Sequence, residues 1–166
     1  MIEETRFRAF YEEMFPRLWR YVHRMSQNRS ECDDLVQETF LRFLRTAPDL
    51  DEKEAIPYVY RIATNLVRDK WREGKSQAAW LEETGREEAV SPSHDAGIKL
   101  DIERAMEKLS PGQRSLVWLA YVEGYDHKSI ASIVGVNSTS VRVLLSRARQ
   151  RLAALLDESD GPGANR

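Results

Sequence analysis

The chain has 166 residues, of which 42% are hydrophobic and 31% charged, with a formal net charge of −2. This length allows one medium domain or two small ones. The single cysteine, Cys32, excludes an intrachain disulfide and a cysteine-cluster metal site. Because no apolar run is long enough to span a bilayer and the start lacks a signal-peptide core, we expect a cytoplasmic protein without membrane insertion.

The small net charge hides a segregation of charge along the chain. No acidic residue occurs from His127 to Leu156, where one lysine and four arginines lie. Acidic residues are concentrated instead at positions 31–38, 49–54 and 82–88. Segregation of this kind predicts at least two kinds of partner.

The first part of the chain predicts three helices. Apolar residues recur every three or four positions over 7–25, although Pro16 predicts a kink or a break in that helix. A second apolar stripe predicts a helix over 30–46. A loop is expected at 47–54, and a third helix is expected over 57–72.

The helical period is lost over 76–97, where Gly, Ser, Pro and acidic residues are enriched, so a flexible linker is predicted. Helical periods begin again near Ile98, and no convincing strand pattern occurs. We therefore predict an all-α fold of two small helical domains joined by a linker. The predicted bounds are 1–75 for the first domain, 76–97 for the linker, 98–157 for the second domain and 158–166 for a tail.

The second domain has the pattern of a helix-turn-helix. Ser110 to Gln113 matches a capping box, Asp126 can cap a short helix, and Gly135 supplies a tight turn before a longer helix. A basic second helix suits the major groove of DNA, where arginines reach phosphates or guanine edges. The alternative is a helical hairpin with a solvated basic face. The residues left for the outer face are Ser140, Arg142, Val143, Ser146, Arg147 and Arg149.

The third predicted helix combines positive charge with aromatic rings. That combination suits single-stranded or opening DNA, because stacking on a ring stabilises each base by roughly 1–3 kcal/mol. Each aromatic taken alone is more often a core residue, whereas the Asn65 amide can read a base edge. Arg61, Asn65, Arg68 and Arg72 share one face, and Tyr58, Tyr60 and Trp71 supply rings.

Polar and acidic side chains, Asp33, Asp34, Gln37 and Glu38, occupy the start of the second helix. A metal or catalytic site is disfavoured, because adjacent carboxylates at a helix start usually cap the helix or are solvated. A protein partner with a basic surface explains them better. The chain carries no nucleophile–base set, metal-ligand spacing or phosphate loop, so we expect no enzyme activity, cofactor or metal.

Together these motifs resemble those of bacterial sigma factors of the extracytoplasmic-function (ECF) group, and the resemblance covers almost the whole chain. Residues 33–40 resemble the family's core-polymerase-binding helix, residues 57–69 its −10 recognition segment, and residues 109–114 with 123–149 its −35 reader. The residues that the resemblance assigns to core-polymerase binding are Asp33, Asp34, Gln37, Glu38 and Phe40.

The resemblance also implies DNA contacts. Asn65 and the preceding loop, at about 51–58, would capture a flipped base of the opened strand. The departures from the family pattern are at Val143 and Leu144, which leave the −35 base preference open, and at Thr139 and Ser146. The implied −10 set is Tyr58, Arg61, Asn65, Arg68, Asp69 and Arg72, and the implied −35 set is Arg114, Ser140, Arg142, Val143, Ser146, Arg147 and Arg149.

By this resemblance the chain is expected to direct promoter-specific initiation with no covalent step of its own. Its partners would be core RNA polymerase (the clamp helices of the largest subunit and the flap of the second largest), promoter DNA and an anti-sigma factor. Two other hypotheses stay open: a stand-alone helix-turn-helix regulator, and an adapter that sequesters a regulator through the first domain.

Overall fold

The computed structural model describes residues 3–46, 49–72, 80–81 and 98–159. Within those ranges every regular element is a helix and there is no strand, which confirms the predicted all-α fold. The N-terminal unit consists of α1 (Glu4–Ser26), α2 (Arg29–Thr46) and α3 (Glu52–Trp71). The C-terminal unit consists of α4 (Ile98–Lys108), α5 (Pro111–Val117), a π-helical turn (Trp118–Val122), α6 (His127–Val134) and α7 (Ser138–Ser159).

Helix α1 runs without interruption through Pro16, so the predicted alternative of a break is wrong. Pro16 lies on the exposed side, whereas Met14 and Leu18 on either side of it are fully buried. Burial of these neighbours holds the helix together although proline removes one backbone hydrogen bond. The helix ends at Ser26 and is capped by Gln27, a non-glycine residue in the left-handed region with φ of 55°.

Helix α3 begins five residues earlier than the sequence predicted, at Glu52 rather than Pro57. The Asp51 side chain accepts a hydrogen bond of 2.9 Å from the Glu54 backbone amide and so caps the helix. Ala55 is buried, which keeps the first turn against the core. The predicted loop is therefore shorter, and Pro57 lies inside the helix.

The predicted capping signals of the C-terminal unit are confirmed. Ser110 and Gln113 exchange both capping-box hydrogen bonds at 3.2 Å, and Asp126 accepts a bond of 2.8 Å from Ser129. Gly135 adopts φ of 77°, a conformation that side chains rarely tolerate, and so permits the turn between α6 and α7. These features produce the predicted helix-turn-helix geometry.

The main hydrophobic core is shared by the two units. Buried side chains of α1, α2 and α3 form one cluster with Leu116, Leu119, Ile130 and Val134 of the C-terminal unit. A smaller cluster packs α4 and α5 against α7 around Leu109. The N-terminal unit therefore packs mainly on α5 and α6.

The predicted linker lies outside the described residues except for Trp80 and Leu81. Trp80 is the largest fully buried side chain in the described part of the chain. Among the described helices no single one is long and apolar enough to cross a membrane. One bent pair, His127–Val134 with Ser138–Glu158, passes that test together despite a bend of 92°.

Candidate polymerase and nucleic-acid interfaces

The acidic start of α2 is accessible. Asp33, Asp34 and Gln37 are exposed, and Glu38 is partly exposed and pairs with Arg42 of the same helix at 3.0 Å. A surface ion pair of this kind contributes little to stability, so the Glu38 carboxylate remains available to a partner.

Trp19 of α1 orients the first of these carboxylates, a role that sequence reasoning missed. Its indole nitrogen donates a hydrogen bond of 3.0 Å to the Asp33 carboxylate. The ring stacks on His23 with centroids 5.0 Å apart, and the Arg29 guanidinium lies 5.9 Å from its centroid. Burial, and then the charges of Arg24 and Arg29, lower the pKa of His23. The only sequence signal was the spacing of Trp19 and His23 by one helical turn.

Phe40 lies in a different environment from the other residues predicted to bind polymerase. It is 3% exposed, and its ring centroid is 4.8 Å from that of Tyr11 in α1. The exposed apolar side chains of α2 are Leu41 and Leu44. Helical spacing places both beyond Asp34 and Gln37 on one side of α2, which makes that side an acidic surface extended by apolar groups.

On α3 the predicted −10 residues differ in accessibility. Arg61 and Asp69 are exposed, whereas Asn65, Arg72 and Tyr58 are half-buried. The Tyr58 hydroxyl donates a hydrogen bond of 3.0 Å to Thr46.

Arg68, another predicted −10 residue, contacts the C-terminal unit. It donates to the Asn65 side-chain oxygen at 2.6 Å and to the Val134 carbonyl at the end of α6 at 3.0 Å. Burial, followed by the charge of Arg72, lowers the pKa of Arg68. In this arrangement Arg68 connects α3 to the helix-turn-helix.

The outer face of α7 has the accessibility that a groove-reading helix needs. Arg142, Val143, Arg147 and Arg149 are exposed, and Val143 is 50% exposed although it is apolar. Ser140 and Ser146 on the same helix are half-buried. This face combines guanidinium groups with one apolar side chain, which can contact the thymine methyl group.

Arg114 lies elsewhere than the other predicted −35 residues. It is 4% exposed, and its guanidinium donates to the carbonyls of Glu107, Leu109 and Met25 at 3.1, 2.6 and 2.7 Å. Burial lowers its pKa to about 10. Because Met25 belongs to α1, Arg114 joins the two units in this arrangement and is not accessible to DNA.

The described residues contain no group of three or more His, Cys, Asp or Glu side chains arranged to hold a metal.

Two family models match the chain: Sigma-70 region 2 over residues 10–77 and Sigma-70, region 4 over residues 99–152. The chain therefore belongs to the sigma-70 family.

Several curated relatives of this sigma factor are ECF RNA polymerase sigma factors. It is 32% identical to ECF RNA polymerase sigma factor SigE of Mycolicibacterium smegmatis over 143 residues, which cover 82% of the chain and 56% of SigE. It is 28% identical to RNA polymerase sigma factor CarQ of Myxococcus xanthus, with 89% and 90% of the two chains covered. The sigma factor thus spans about half the length of SigE and nine-tenths of CarQ.

Solved structures share the fold. The sigma factor RpoE in complex with the anti-sigma factor NepR from Bartonella quintana has a TM-score of 0.69 and 22% identity, covering 91% of this chain and 96% of RpoE. CnrH in complex with the cytosolic domain of CnrY has a TM-score of 0.65 and 21% identity, covering 94% and 90%. The predicted family is confirmed, while the roles of individual residues stay predictions.

Proposed function

We propose that this sigma factor binds core RNA polymerase through the acidic side of α2. A carboxylate surface extended by exposed apolar side chains complements a basic partner with an apolar patch. Asp34, Gln37 and Glu38 would contact the clamp helices of the largest subunit, with Leu41 and Leu44 adding apolar area. Trp19 would keep the Asp33 carboxylate oriented toward the partner.

The outer face of α7 would read the −35 element in the major groove. Its arginines are exposed over successive turns of one helix, which is the arrangement that major-groove docking requires. Arg142 would contact bases or phosphates, Arg149 the backbone, and Val143 a thymine methyl group. The C-terminal unit would also meet the flap of the second largest subunit, as the family resemblance implies.

The face of α3 that carries Asn65 would capture a flipped base of the −10 strand. Unstacking a base costs a few kcal/mol, and contacts to its edge and ring offset that cost. The Asn65 amide supplies donors and an acceptor, while Arg61 and the other basic residues of α3 attract the backbone. Promoter-directed initiation by the polymerase holoenzyme follows from these three surfaces acting together.

An anti-sigma factor is the expected inhibitor. Of the two neighbours above, RpoE was solved in complex with the anti-sigma factor NepR, and CnrH in complex with the cytosolic domain of CnrY. Such a partner would compete for the acidic side of α2, because that surface is accessible in the free sigma factor.

The observation that carries the proposal is the presence of an accessible acidic surface on α2 and an accessible basic face on α7 in one sigma-family chain. The test is transcription from genomic fragments by sigma-free bacterial core polymerase with and without the protein. Discrete start sites that need the protein are expected, and their upstream sequences give the −10 and −35 elements. Co-elution with core without initiation would favour an adapter. Duplex binding without co-elution would favour a stand-alone regulator.

A further inference from the structure

Two arginines cross between the units in opposite directions. Arg68 of α3 donates to the carbonyl of Val134 at the end of α6, and Arg114 of α5 donates to the carbonyl of Met25 at the end of α1. The last carbonyls of a helix have no intrahelical partner and carry partial negative charge. Each arginine therefore caps the C-terminus of a helix in the opposite unit. We call this pair the reciprocal arginine caps.

A polar network around Glu123 also joins the two units. Glu123, whose side chain is 7% exposed, accepts a hydrogen bond of 2.6 Å from Arg17 of α1 and another from the Tyr60 hydroxyl of α3. Burial, and then the hydrogen bond from Tyr60 to Glu123, raise the pKa of Tyr60, so the phenol stays a donor. The network fixes the C-terminal unit to two helices of the N-terminal unit at once.

The π-helical turn determines where Glu123 lies. The Glu123 amide bonds to the carbonyl of Trp118, five residues earlier, and the turn widens the helix just before Gly124. Gly124 then takes φ of 74° and ends the element. Sequence periodicity alone would continue the α-helix to Gly124, so the inward position of Glu123 depends on this local widening.

Trp80 is held between the two units. Its ring lies 5.5 Å from the ring of Trp71 at the end of α3, in an edge-to-face arrangement. On the other side it packs so closely on Gly112 of α5 that a Cβ there would approach the Trp80 carbonyl oxygen to 2.3 Å. Only glycine permits this contact, so a single tryptophan fixes α3 relative to α5.

Packing the two units together has a free-energy cost, so this closed arrangement can open again. The Nε atoms of Arg68 and Arg114 are buried and have no hydrogen-bond partner within the described residues. Burying a guanidinium with incomplete hydrogen bonding is unfavourable, and burial accordingly lowers the pKa of both arginines. DNA phosphates are stronger acceptors for these groups than neutral carbonyls.

We propose that the free sigma factor holds itself closed through Trp80 and Glu123, and that closure occupies Arg68 and Arg114 as reciprocal caps until DNA phosphates replace the helix carbonyls. The step from closure to DNA rests on the proposed function, whereas closure itself does not. Opening would release one arginine from each unit at the same time, so Arg68 of the predicted −10 set and Arg114 of the predicted −35 set would become available together.

The first measurement concerns the free protein alone. Small-angle X-ray scattering and hydrogen exchange compare the wild type with the Trp80→Ala/Glu123→Gln variant, with circular dichroism to verify helix content. We expect a compact wild type and an expanded variant in which the amides of Gly135 and Val136 exchange faster. Glu13→Gln is the matched control, because Glu13 lies 4.0 Å from the same Arg17 but is 53% exposed. The control should remain compact.

The second measurement is binding to a short duplex of arbitrary sequence over a range of salt concentrations. We expect the open variant to bind about fivefold more tightly, with a salt dependence steeper by about two phosphate contacts. Adding Arg68→Ala and Arg114→Ala to the open variant should remove both changes. Transcription with core polymerase should stay within about twofold of wild type for the open variant.

Each result decides a step of the proposal. A wild type that is already expanded would overturn closure, whether or not the protein initiates transcription. Expansion without a gain in duplex affinity would overturn the role of the two arginines. If the double variant loses helical signal, the Tyr60→Phe variant is used in its place, since this change removes only one hydroxyl from the Glu123 network. Unchanged hydrogen exchange at the Gly135 amide of Tyr60→Phe would also contradict the proposal.

Discussion

The two helices proposed to meet DNA, α3 and α7, are both basic but differ in what the fold does with their charges. On α3, Arg68 donates to a carbonyl of the opposite unit and to Asn65. The Asn65 amide, which is proposed to read the −10 strand, is therefore already hydrogen-bonded within the protein. On α7, Arg142 and Arg149 are exposed. A basic face in the sequence therefore identifies a candidate surface, while tertiary packing decides whether that surface is accessible.

The difference follows from where each helix packs. Helix α7 lies against α4, α5 and α6 of its own unit, which bury its apolar stripe and leave the outer face open. Helix α3 packs against α1 and α2 of its own unit and also against α6 of the other unit, so it has protein on both sides. We therefore expect the α7 face of the −35 surface to be accessible in the closed protein, and the −10 surface only after opening.

The largest effect should come from Asn65→Ala. Losing one edge contact to a captured base costs about 1–3 kcal/mol, which is roughly ten- to hundredfold in open-complex formation. Permanganate reactivity of the melted strand in the holoenzyme measures that loss. Binding to core polymerase, measured by co-elution, should not change, because Asn65 lies on a different helix from the acidic side of α2.

A matched variant on the same helix sharpens this assignment. Asp69, which the resemblance also places in the −10 set, is exposed one turn after Asn65. Asp69→Ala should change opening much less than Asn65→Ala, because a carboxylate is repelled by the DNA backbone. If Asn65→Ala lowered polymerase binding and strand opening equally, Asn65 would be a structural residue and the −10 face of α3 would have to lie elsewhere.

The next largest effect concerns α7, whose outer face is exposed. Arg142→Ala should reduce initiation roughly tenfold at promoters with an intact −35 element and have little effect where that element is already mutated. Arg149→Ala should instead weaken duplex binding about equally at all sequences and reduce the salt dependence by about one phosphate contact. Initiation assays over a set of −35 mutants measure both patterns. An unchanged response of Arg142→Ala to those mutants would remove it from base reading.

Much of the fold was readable from local chemistry. The capping box at Ser110, the cap at Asp126 and the turn at Gly135 each depend on residues within one helical turn, so their sequence pattern determines them. The predicted start of α3 is wrong because proline is common at the first helical position, and this signal at Pro57 competes with the cap at Asp51, after which the helix in fact begins.

The closed arrangement was not readable from the sequence. Arg68 shares a helix face with other basic residues and Arg114 matches the family's −35 motif, but nothing in their local sequence shows that a helix end of the opposite unit lies beside them. Trp80 stood alone among linker residues, where its burial could not be inferred from periodicity. Contacts between distant segments depend on the packing of whole helices, which a window of neighbouring residues does not contain.

The smallest predicted effect tests the Arg114 side of the interface by pH. Burial raises the pKa of Glu107 against the opposing charge of Arg24, and one of its carboxylate oxygens is buried without a partner in the described residues. A carboxyl whose pKa is raised by folding stabilises the protein below its unfolded pKa of about 4.3, and that contribution is lost as pH rises through the folded value. Glu107→Gln should therefore raise Tm at pH 7 by on the order of 1 °C.

The sign of this effect separates the cost of a buried charge from the gain of an ion pair. The stabilisation by Glu107→Gln should vanish when melting is measured near pH 4, because the wild-type carboxyl is then protonated. Glu103→Gln is the matched change one helical turn away; it removes the pair that Glu103 makes with Arg24 at 3.1 Å across the interface and should lower Tm slightly at pH 7. If both variants lowered Tm at pH 7, the charged form of Glu107 would be favourable, and the closed interface would be held by carboxylates on the α4 side as well as by Glu123.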